Sequence, residues 1–194
     1  PGKHNVYNAL GATAVALELD IPFAKIAEAF AVFKNANRRF QFKGEANGIT
    51  VVDDYAHHPT EILATLAAAK NSAGGRRTVA VFQPHRYTRT QELMDEFALA
   101  FNNADVLYVL DIYAASEQPI LGISAEVLTE NIKKYGHKNA TYLGDIETAA
   151  EMVVPALLEG DLVITLGAGS VTRLSDEVLA KLRTAAEKQA AGTE

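Results

Sequence analysis

The chain has 194 residues, of which 48% are hydrophobic and 22% are charged, and its formal net charge is −6. This composition predicts a globular protein with a sizeable core, and its acidic balance argues against nucleic acid as a partner. The absence of cysteine excludes disulfides and thiolate metal sites. Because the sequence has no long apolar run and no secretory signal, we expect a cytoplasmic protein with no membrane partner.

Two helices are predicted at the start of the chain. Apolar side chains recur at helical spacing over residues 4–19 and 23–33. The pair is too short to bury both of its faces, so we expect it to pack on another part of the protein. Asn5 and Asn8 lie one turn apart, and their amides could read the edge of a nucleotide base, although the residues alone favour helix capping.

After Asn37, strand and helix patterns alternate. A half-exposed strand is predicted over 38–44 and, after a hairpin turn, an apolar strand over 49–53. Further strands are predicted at 78–82, 106–110, 141–143 and 162–166, and helices at 60–71, 90–102, 124–135, 147–158 and 171–188. Such alternation predicts an α/β fold with a doubly wound, mostly parallel sheet of about six strands, preceded by the helical pair.

Residues 53–61, Asp-Asp-Tyr-Ala-His-His-Pro-Thr-Glu, join a strand to a helix. A solvated turn with helix caps would explain one aspartate, but the density of ionisable groups favours a binding site, because ligands bind at the carboxyl ends of parallel strands. Asp54 suits a metal ion or a ribose hydroxyl. His57 and His58 suit an anion, helped by the helix N-terminus behind them.

Residues 82–90, Phe-Gln-Pro-His-Arg-Tyr-Thr-Arg-Thr, follow another apolar strand. Arg86 and Arg89 are three residues apart, so on a helical turn they share a face and could bind a carboxylate or phosphate. A salt bridge to Glu92 or Asp95 is the alternative. Anion binding is favoured because cations at a helix N-terminus oppose the helix dipole.

Two later loops are less specific. Asp111 and Glu117 follow a strand and are as consistent with a polar loop as with a site. Gly167-Ala168-Gly169 lies between the last strand and the last helix, where a tight turn is favoured over phosphate binding.

Taken in order, these motifs resemble those of the Mur ligases, a family of ATP-dependent, amide-forming ligases. The resemblance runs nearly end to end and rests on His4-Asn5-Val6-x-Asn8-Ala9, Arg38-Arg39-Phe40, residues 53–61, residues 82–90 and Gly167-Ala168-Gly169. One departure is that no Gly-x-x-x-x-Gly-Lys-Ser/Thr phosphate loop occurs.

The resemblance implies a three-domain enzyme with a UDP-sugar domain, a central ATP-binding domain and a Rossmann-like C-terminal domain. Residues 1–37 would be the end of the central domain and residues 38–194 the C-terminal domain. The first two domains would be partners outside this sequence, consistent with a chain that begins at Pro1 rather than Met.

The resemblance also implies a reaction in which ATP and Mg²⁺, both held mainly by the central domain, convert a muramate carboxyl to an acyl phosphate that an amine attacks. The motifs favour the family member that joins L-alanine to UDP-N-acetylmuramate over the member that re-attaches a recycled tripeptide. A non-catalytic module that binds an amino acid or a small anion is a further alternative. Without the phosphate loop, this chain alone is expected to be inactive.

Carried over by motif position, the resemblance implies two sets of binding residues and names no catalytic residue or metal ligand in this chain. The residues that would contact ATP are His4, Asn5, Asn8, Arg39 and Asp54. The residues that would surround L-alanine are Tyr55, His57, Arg86 and Arg89. Whether Arg38 or Arg39 makes the nucleotide contact stays open.

Overall fold

A six-stranded sheet forms the centre of the fold in a computed structural model that describes residues 3–33, 36–72 and 74–191. The side chains of His4 and of residues 188–191 lie outside this description. The strands are β1 (Gln41–Ala46), β2 (Ile49–Asp54), β3 (Thr78–Phe82), β4 (Val106–Leu110), β5 (Ala140–Gly144) and β6 (Leu162–Leu166). Their order across the sheet is β1-β2-β6-β3-β4-β5, with only β1 antiparallel to its neighbour. The predicted mostly parallel α/β fold is confirmed.

Helices cover both faces of the sheet. They are α1 (Lys3–Glu18), α2 (Phe23–Val32), α3 (Pro59–Ser72), α4 (Tyr87–Glu92), α5 (Met94–Leu99), α6 (Ala125–Lys134), α7 (Ile146–Val153) and α8 (Thr172–Ala191), with a 3₁₀ turn at Val154–Ala156. One apolar cluster joins α3, α5 and α6 to the sheet, and a second joins α7 and α8 to it. Val52 belongs to the first cluster and Val51 to the second, as expected because successive strand residues point to opposite faces.

The prediction of one continuous helix over 90–102 was wrong, although most of this span is helical. The chain instead forms α4 and α5, because Leu93 leaves helical geometry with φ −114° and ψ 24°. Leu93 and Met94 both pack against the core, and Asp95 and Glu96 occupy the first turn of α5, where carboxylates favour a helix start.

The strand predicted over 38–44 begins later, at Gln41. Arg38 and Phe40 have positive φ angles of 61° and 46°, which an extended strand does not allow. Arg38 and Arg39 therefore lie in the turn that leads into β1, close to the end of β2, rather than within the sheet.

The helical pair α1 and α2 leaves much of its apolar surface exposed. Val6, Leu10, Val15, Phe23 and Phe33 are each more than half exposed. Within the described residues, no helix combines the length and apolar character needed to cross a membrane. This exposed surface is consistent with the expectation that the pair packs on another part of the protein.

Candidate active site

A pocket of about 830 Å³ lies between the helical pair and the end of β2. Four of the five residues predicted to contact ATP line it, namely Asn5, Asn8, Arg39 and Asp54. The fifth is His4, whose side chain lies outside the described residues. The fold thus brings together residues that are about 50 positions apart in the sequence, at the sheet edge where ligands of parallel α/β proteins bind.

Asn5 and Asn8 form a polar patch on the wall of this pocket. The Asn8 side-chain amide donates to Asn5 Oδ1 at 3.5 Å. Both residues lie within α1. The wall beside them is apolar and includes Phe30 and Phe33. Amides next to an apolar wall suit a flat ring with hydrogen-bonding edges.

Asp54 connects the turn before β1 to the loop after β2. Its Oδ2 accepts from Phe40 N at 2.7 Å, and its Oδ1 accepts from Ala56 N at 2.8 Å. Burial raises the pKa of the Asp54 carboxyl, while these two hydrogen bonds and the charge of Arg39 oppose the increase. Each carboxylate oxygen keeps a second lone pair, so Asp54 can accept a further hydrogen bond from a hydroxyl in the pocket.

Arg38 and Arg39 have different surroundings. Arg38 Nε donates to the buried Asp53 Oδ2 at 2.9 Å, and Arg38 Nη2 donates to Gly167 O at 2.5 Å. Arg39 lines the pocket; its side chain is half exposed, and its Nη1 lies 3.7 Å from Glu61 Oε1. Of the two, Arg39 therefore has the guanidinium group more accessible to a ligand in the pocket.

Asp53 has a structural role that the sequence analysis did not separate from that of Asp54. Besides Arg38, it accepts hydrogen bonds from Thr165 Oγ1 at 2.7 Å and from Thr172 Oγ1 at 2.9 Å. These contacts connect β2 to β6 and to α8. Thr165, a polar residue in an otherwise apolar strand, was the sequence signal that could have indicated this buried network.

A second group of side chains surrounds His85 at the ends of β2 and β3. The ring centroids of Tyr55 and His57 are 5.1 Å apart, and those of His57 and His85 are 6.0 Å apart. Arg89 Nη1 lies 3.2 Å from His85 Nδ1. Three of the four residues predicted to surround L-alanine thus meet around His85. Sequence reasoning missed His85 itself, although it lies in the same motif as Arg89.

Hydrogen bonding fixes which nitrogen of each neutral imidazole carries the proton. The carbonyl oxygen of Tyr55 only accepts, so His57 Nδ1, 3.0 Å away, must donate, which leaves a lone pair on Nε2. Arg89 only donates, so His85 Nδ1 must accept, and the neutral ring carries its hydrogen on Nε2. Burial and the charge of Arg89 lower the pKa of His85 and favour its neutral form. The cluster therefore offers an acceptor on His57 and a donor on His85.

Arg86, the fourth predicted residue, lies just before α4 with a φ angle of 75°. Its side chain is half exposed, and its Nη1 lies 3.8 Å from Glu117 Oε1. The alternative salt bridge from Arg86 to Glu92 or Asp95 does not occur among the described residues. Thr88 donates to both oxygens of Glu117, from its backbone N at 3.0 Å and its hydroxyl at 2.7 Å. These two hydrogen bonds lower the pKa of Glu117 and keep it ionised.

Comparison with known proteins identifies the family to which this architecture belongs. Residues 38–169 match the family described as "Mur ligase, glutamate ligase domain". The chain belongs to the Mur ligase family. A UDP-N-acetylmuramate–L-alanine ligase from Geobacter sulfurreducens is 55% identical over 185 residues, which are 95% of this chain and 40% of that protein. The protein of the same name from Solibacter usitatus is 54% identical over 184 residues, covering 95% and 39%.

Solved Mur ligase structures resemble this fold over nearly its whole length. The UDP-N-acetylmuramate–alanine ligase of Thermotoga maritima superposes with a TM-score of 0.81 at 28% identity, covering 95% of this chain and 39% of that one. A murein peptide ligase from Psychrobacter arcticus gives a TM-score of 0.68 at 26% identity, covering 94% and 37%. This Mur ligase chain spans about 40% of the length of the curated relatives that it matches.

The Gly167-Ala168-Gly169 turn of this Mur ligase is required by close packing. A Cβ atom at Gly167 would lie 2.8 Å from the carbonyl oxygen of Gln83, and one at Gly169 would lie 2.6 Å from Gln83 Oε1. Gly167 also has a φ angle of 145°, which side chains disfavour. The side chain of Gln83 in turn accepts from Val171 N at 3.0 Å. These contacts agree with the tight turn that the sequence favoured.

Asp111 and Glu117 do not act as one acidic pair. Asp111 Oδ1 accepts from the hydroxyl of Tyr142 at 2.6 Å, and this hydrogen bond raises the pKa of Tyr142 to about 12. Asp111 thus connects β4 to β5, whereas Glu117 contacts the segment that carries Arg86. Among residues 3–33, 36–72 and 74–191, no three His, Asp or Glu side chains are arranged to hold a metal ion. These residues do not by themselves fit a Mg²⁺ site.

Proposed function

We propose that this chain is the C-terminal, amino-acid-recruiting part of an ATP-dependent ligase that joins L-alanine to UDP-N-acetylmuramate in peptidoglycan precursor synthesis. One observation carries the proposal: Glu61 contacts both groups of side chains. Its carboxylate lies 3.7 Å from Arg39 Nη1, in the pocket, and 3.4 Å from His57 Nδ1, in the cluster around His85. A nucleotide and an amino acid bound at these two places would be neighbours, as amide formation at the expense of ATP requires.

In the proposed complex, the base of ATP lies beside Asn5 and Asn8, the ribose beside Asp54, and the phosphates toward Arg39. The size of the pocket and the hydrogen-bonding groups on its wall support this placement. When bound, ATP supplies the phosphoryl group that activates the muramate carboxyl as an acyl phosphate. Mg²⁺ and the UDP-sugar are assigned to parts of the enzyme outside this chain.

The amino acid is oriented by its two charged ends. Arg86 and Arg89 bind the carboxylate, for which guanidinium groups have matching geometry. His57 Nε2 accepts a hydrogen bond from the amino group, because its Nδ1 is committed to Tyr55 O. Held at both ends, the amine is directed toward the activated carboxyl, which lowers the entropic part of the barrier.

Kinetics of the full-length protein test this assignment. We expect Arg86→Ala to raise the KM for L-alanine about 10- to 100-fold, the range for loss of a charged hydrogen bond, while the KM for ATP changes little. Glu130→Gln, which removes an exposed carboxylate on α6 that pairs with Lys133, is the matched control. Equal increases in both KM values would show that Arg86 serves the phosphates instead.

Activity of the isolated chain provides a second test. We expect no release of phosphate at an enzymatic rate from ATP, UDP-N-acetylmuramate and L-alanine with these 194 residues alone, because the sequence contains no phosphate loop. Turnover by the isolated chain would contradict the proposed division of labour between domains.

The murein peptide ligase similarity supports a second candidate, a ligase that re-attaches a recycled tripeptide. Exchange of substrates in the full-length assay separates the two, because the second candidate should prefer the tripeptide over free L-alanine. Calorimetry with L-alanine on this chain tests a purely binding role. The ligase proposal expects weak binding, since closure of the domains completes the site, whereas tight binding without nucleotide would favour a binding module.

A further inference from the structure

Glu117 occupies a fixed position beside the arginine that would bind the amino acid carboxylate. The loop that carries it leaves β4 and runs along the segment after β3. Tyr113 N donates to Pro84 O at 2.8 Å, and Arg86 N donates to Tyr113 O at 2.8 Å. The ring of Tyr113 also stacks on His85, with centroids 5.4 Å apart. These contacts attach the loop to the Arg86 segment before any ligand binds.

The backbone around Glu117 is strained in a way that positions its side chain. Ala115 and Ser116, directly before it, have φ angles of 47° and 71°, and Arg86 has a φ angle of 75°. Non-glycine residues rarely adopt this region, and when they do the surrounding structure must impose it. Glu117 N closes the turn by donating to Ala114 O at 3.0 Å. Two such residues therefore precede Glu117 and a third is its partner Arg86, which marks the pair as a built feature.

The Glu117 carboxylate is anchored without exhausting Arg86. Thr88 holds both of its oxygens, and the distance of 3.8 Å to Arg86 Nη1 is longer than a hydrogen bond. Arg86 thus keeps its donors for a ligand. A ligand bound to Arg86 would nevertheless lie within a few ångströms of a permanent negative charge, where a like charge is disfavoured.

The charges around His85 limit the negative charge that a ligand can carry there. Arg86 and Arg89 contribute two positive charges and Glu117 one negative charge, while His85 is held neutral by its surroundings. The negative charge of Glu61, which lies 3.4 Å from His57 Nδ1, is offset by Arg39 at 3.7 Å, and the Asp111 carboxylate accepts from Tyr142. The net charge that faces the ligand carboxylate is therefore close to one positive charge, enough for one carboxylate but not for two.

We propose that Glu117 is the residue that restricts the amino acid to one with a single carboxylate, so that acidic amino acids are rejected in favour of neutral ones such as L-alanine. The inference rests on the proposed function of Arg86 and Arg89. The family description names a glutamate ligase domain, so this fold also serves an acidic amino acid. A chain that takes L-alanine then needs a repulsive element against a second carboxylate, which attractive contacts alone do not supply.

Titration of this chain with L-alanine and with L-aspartate, followed through the side-chain Nε–H NMR signals of Arg86 and Arg89, tests the inference. We expect the wild type to respond at lower concentrations of L-alanine than of L-aspartate. Glu117→Gln, which keeps an oxygen to accept from Thr88, should reduce this preference about tenfold, the size expected when one close like-charge contact is removed. Asp111→Asn is the control. It removes a carboxylate that lies at the same sheet edge and accepts from Tyr142, and it should leave the preference for L-alanine unchanged.

The ratio of the two affinities separates specificity from simple support of the fold. If Glu117 only holds Thr88 and Arg86 in place, Glu117→Gln weakens the binding of L-alanine and of L-aspartate equally. The ratio of the two affinities then stays unchanged, and that result would overturn the inference. The full-length protein should show the same shift in the ratio of kcat/KM for L-aspartate to kcat/KM for L-alanine. If wild-type Arg86 and Arg89 do not respond to L-alanine and the full-length protein does not consume it, the proposed function itself fails. That outcome differs from one in which L-alanine binds but the ratio does not move.

Discussion

The two edges of the sheet contain the same kind of buried ion pair in different surroundings. At the amino edge, Asp161 accepts from Arg77 Nε and Nη2 at 2.9 and 2.7 Å and from Leu158 N at 2.8 Å. At the carboxyl edge, the equally buried Asp53 accepts from Arg38 Nε at 2.9 Å. Each pair joins segments that are distant in sequence. The cations beside the two pairs differ in how their donors are used, although Arg76 at the amino edge and Arg39 at the carboxyl edge are both substantially exposed.

This difference shows that residue type alone does not separate a structural arginine from one that binds a ligand. At the amino edge, Arg76 donates to Gly160 O, Asp161 O and Thr50 Oγ1, so its hydrogen-bonding capacity is used inside the protein. At the carboxyl edge, Arg39 and Arg86 each have one long contact, of 3.7 and 3.8 Å, to a carboxylate. Guanidinium groups whose donors are not satisfied internally at a sheet edge are suited to an anionic ligand.

The largest effect is expected at the amino edge. Asp161→Ala should lower the free energy of unfolding by about 3–5 kcal/mol, because it leaves Arg77 without its partner and removes the acceptor for Leu158 N. Urea denaturation measures this change. Asp176→Ala is the control, since Asp176 is exposed and pairs with Lys43 at 2.8 Å, so its loss should change stability by about 1 kcal/mol or less.

The comparison of the two edges also requires that folded Asp161→Ala bind amino acid as the wild type does. Arg86 and Arg89 should therefore give the same NMR titration with L-alanine in both proteins. Weakened binding in a variant that remains fully folded would mean that the amino edge is coupled to the site.

Compared with Asp161→Ala, Asp53→Asn should have a smaller effect on stability and a larger effect on the KM for L-alanine. We expect a loss of about 2 kcal/mol in urea denaturation, because the asparagine keeps an oxygen to accept hydrogen bonds but loses the charge that faces Arg38. Arg38 O accepts from Tyr55 N at 2.6 Å, and its guanidinium carbon lies 5.1 Å from the Tyr55 ring centroid. A shift of Arg38 should therefore reach Tyr55 and raise the KM for L-alanine in the full-length protein. A stability loss with unchanged KM would make both edges equally structural.

Much of the fold was predictable because the central strands have strongly patterned sequences. β2, β3 and β6 are buried along their whole length, so their apolar runs ended within one residue of the predicted positions. The break at Leu93 and the late start of β1 were not predictable, since the first involves core packing and the second positive φ angles. Neither leaves a periodic pattern in the sequence.

The candidate site was predictable as a set of loops but not as a set of contacts. Parallel strands end at one edge, so the convergence of residues 53–61 and 82–90 followed from their positions after strands. Strand order was not readable from the pattern, and it is the insertion of β6 between β2 and β3 that brings Gly167 to Arg38 and Thr165 to Asp53. The partners of His85 and Glu117 likewise depend on how the loops after β3 and β4 lie together.

Arg39→Met sharpens the comparison within the carboxyl edge. Because the Arg39 side chain is half exposed and its ion pair with Glu61 is long, the variant should unfold at nearly the wild-type urea concentration. It should nevertheless raise the KM for ATP in the full-length protein about tenfold through loss of a charged contact. Arg38→Met is the matched variant, and we expect it to lower stability strongly because Arg38 donates to Asp53 and Gly167. If Arg38→Met affects ATP more than Arg39→Met in folded protein, the assignment of the nucleotide contact to Arg39 is wrong.

The smallest effect is expected from the pH dependence of stability through His85. Burial, and then chiefly the charge of Arg89, lower the pKa of its imidazole in the folded protein below the ordinary value of 6.5. A lowered folded pKa means that the unfolded chain binds the proton more readily, so this contribution to stability is complete above pH 6.5 and is lost as pH falls through the folded value. His85→Gln should therefore show a shallower decrease in urea stability than the wild type between pH 6.5 and 5, by a small amount because the ring is partly exposed. Parallel pH profiles for the two proteins would show that His85 does not titrate differently in the folded and unfolded states, and its assignment as a neutral donor beside Arg89 would then be wrong.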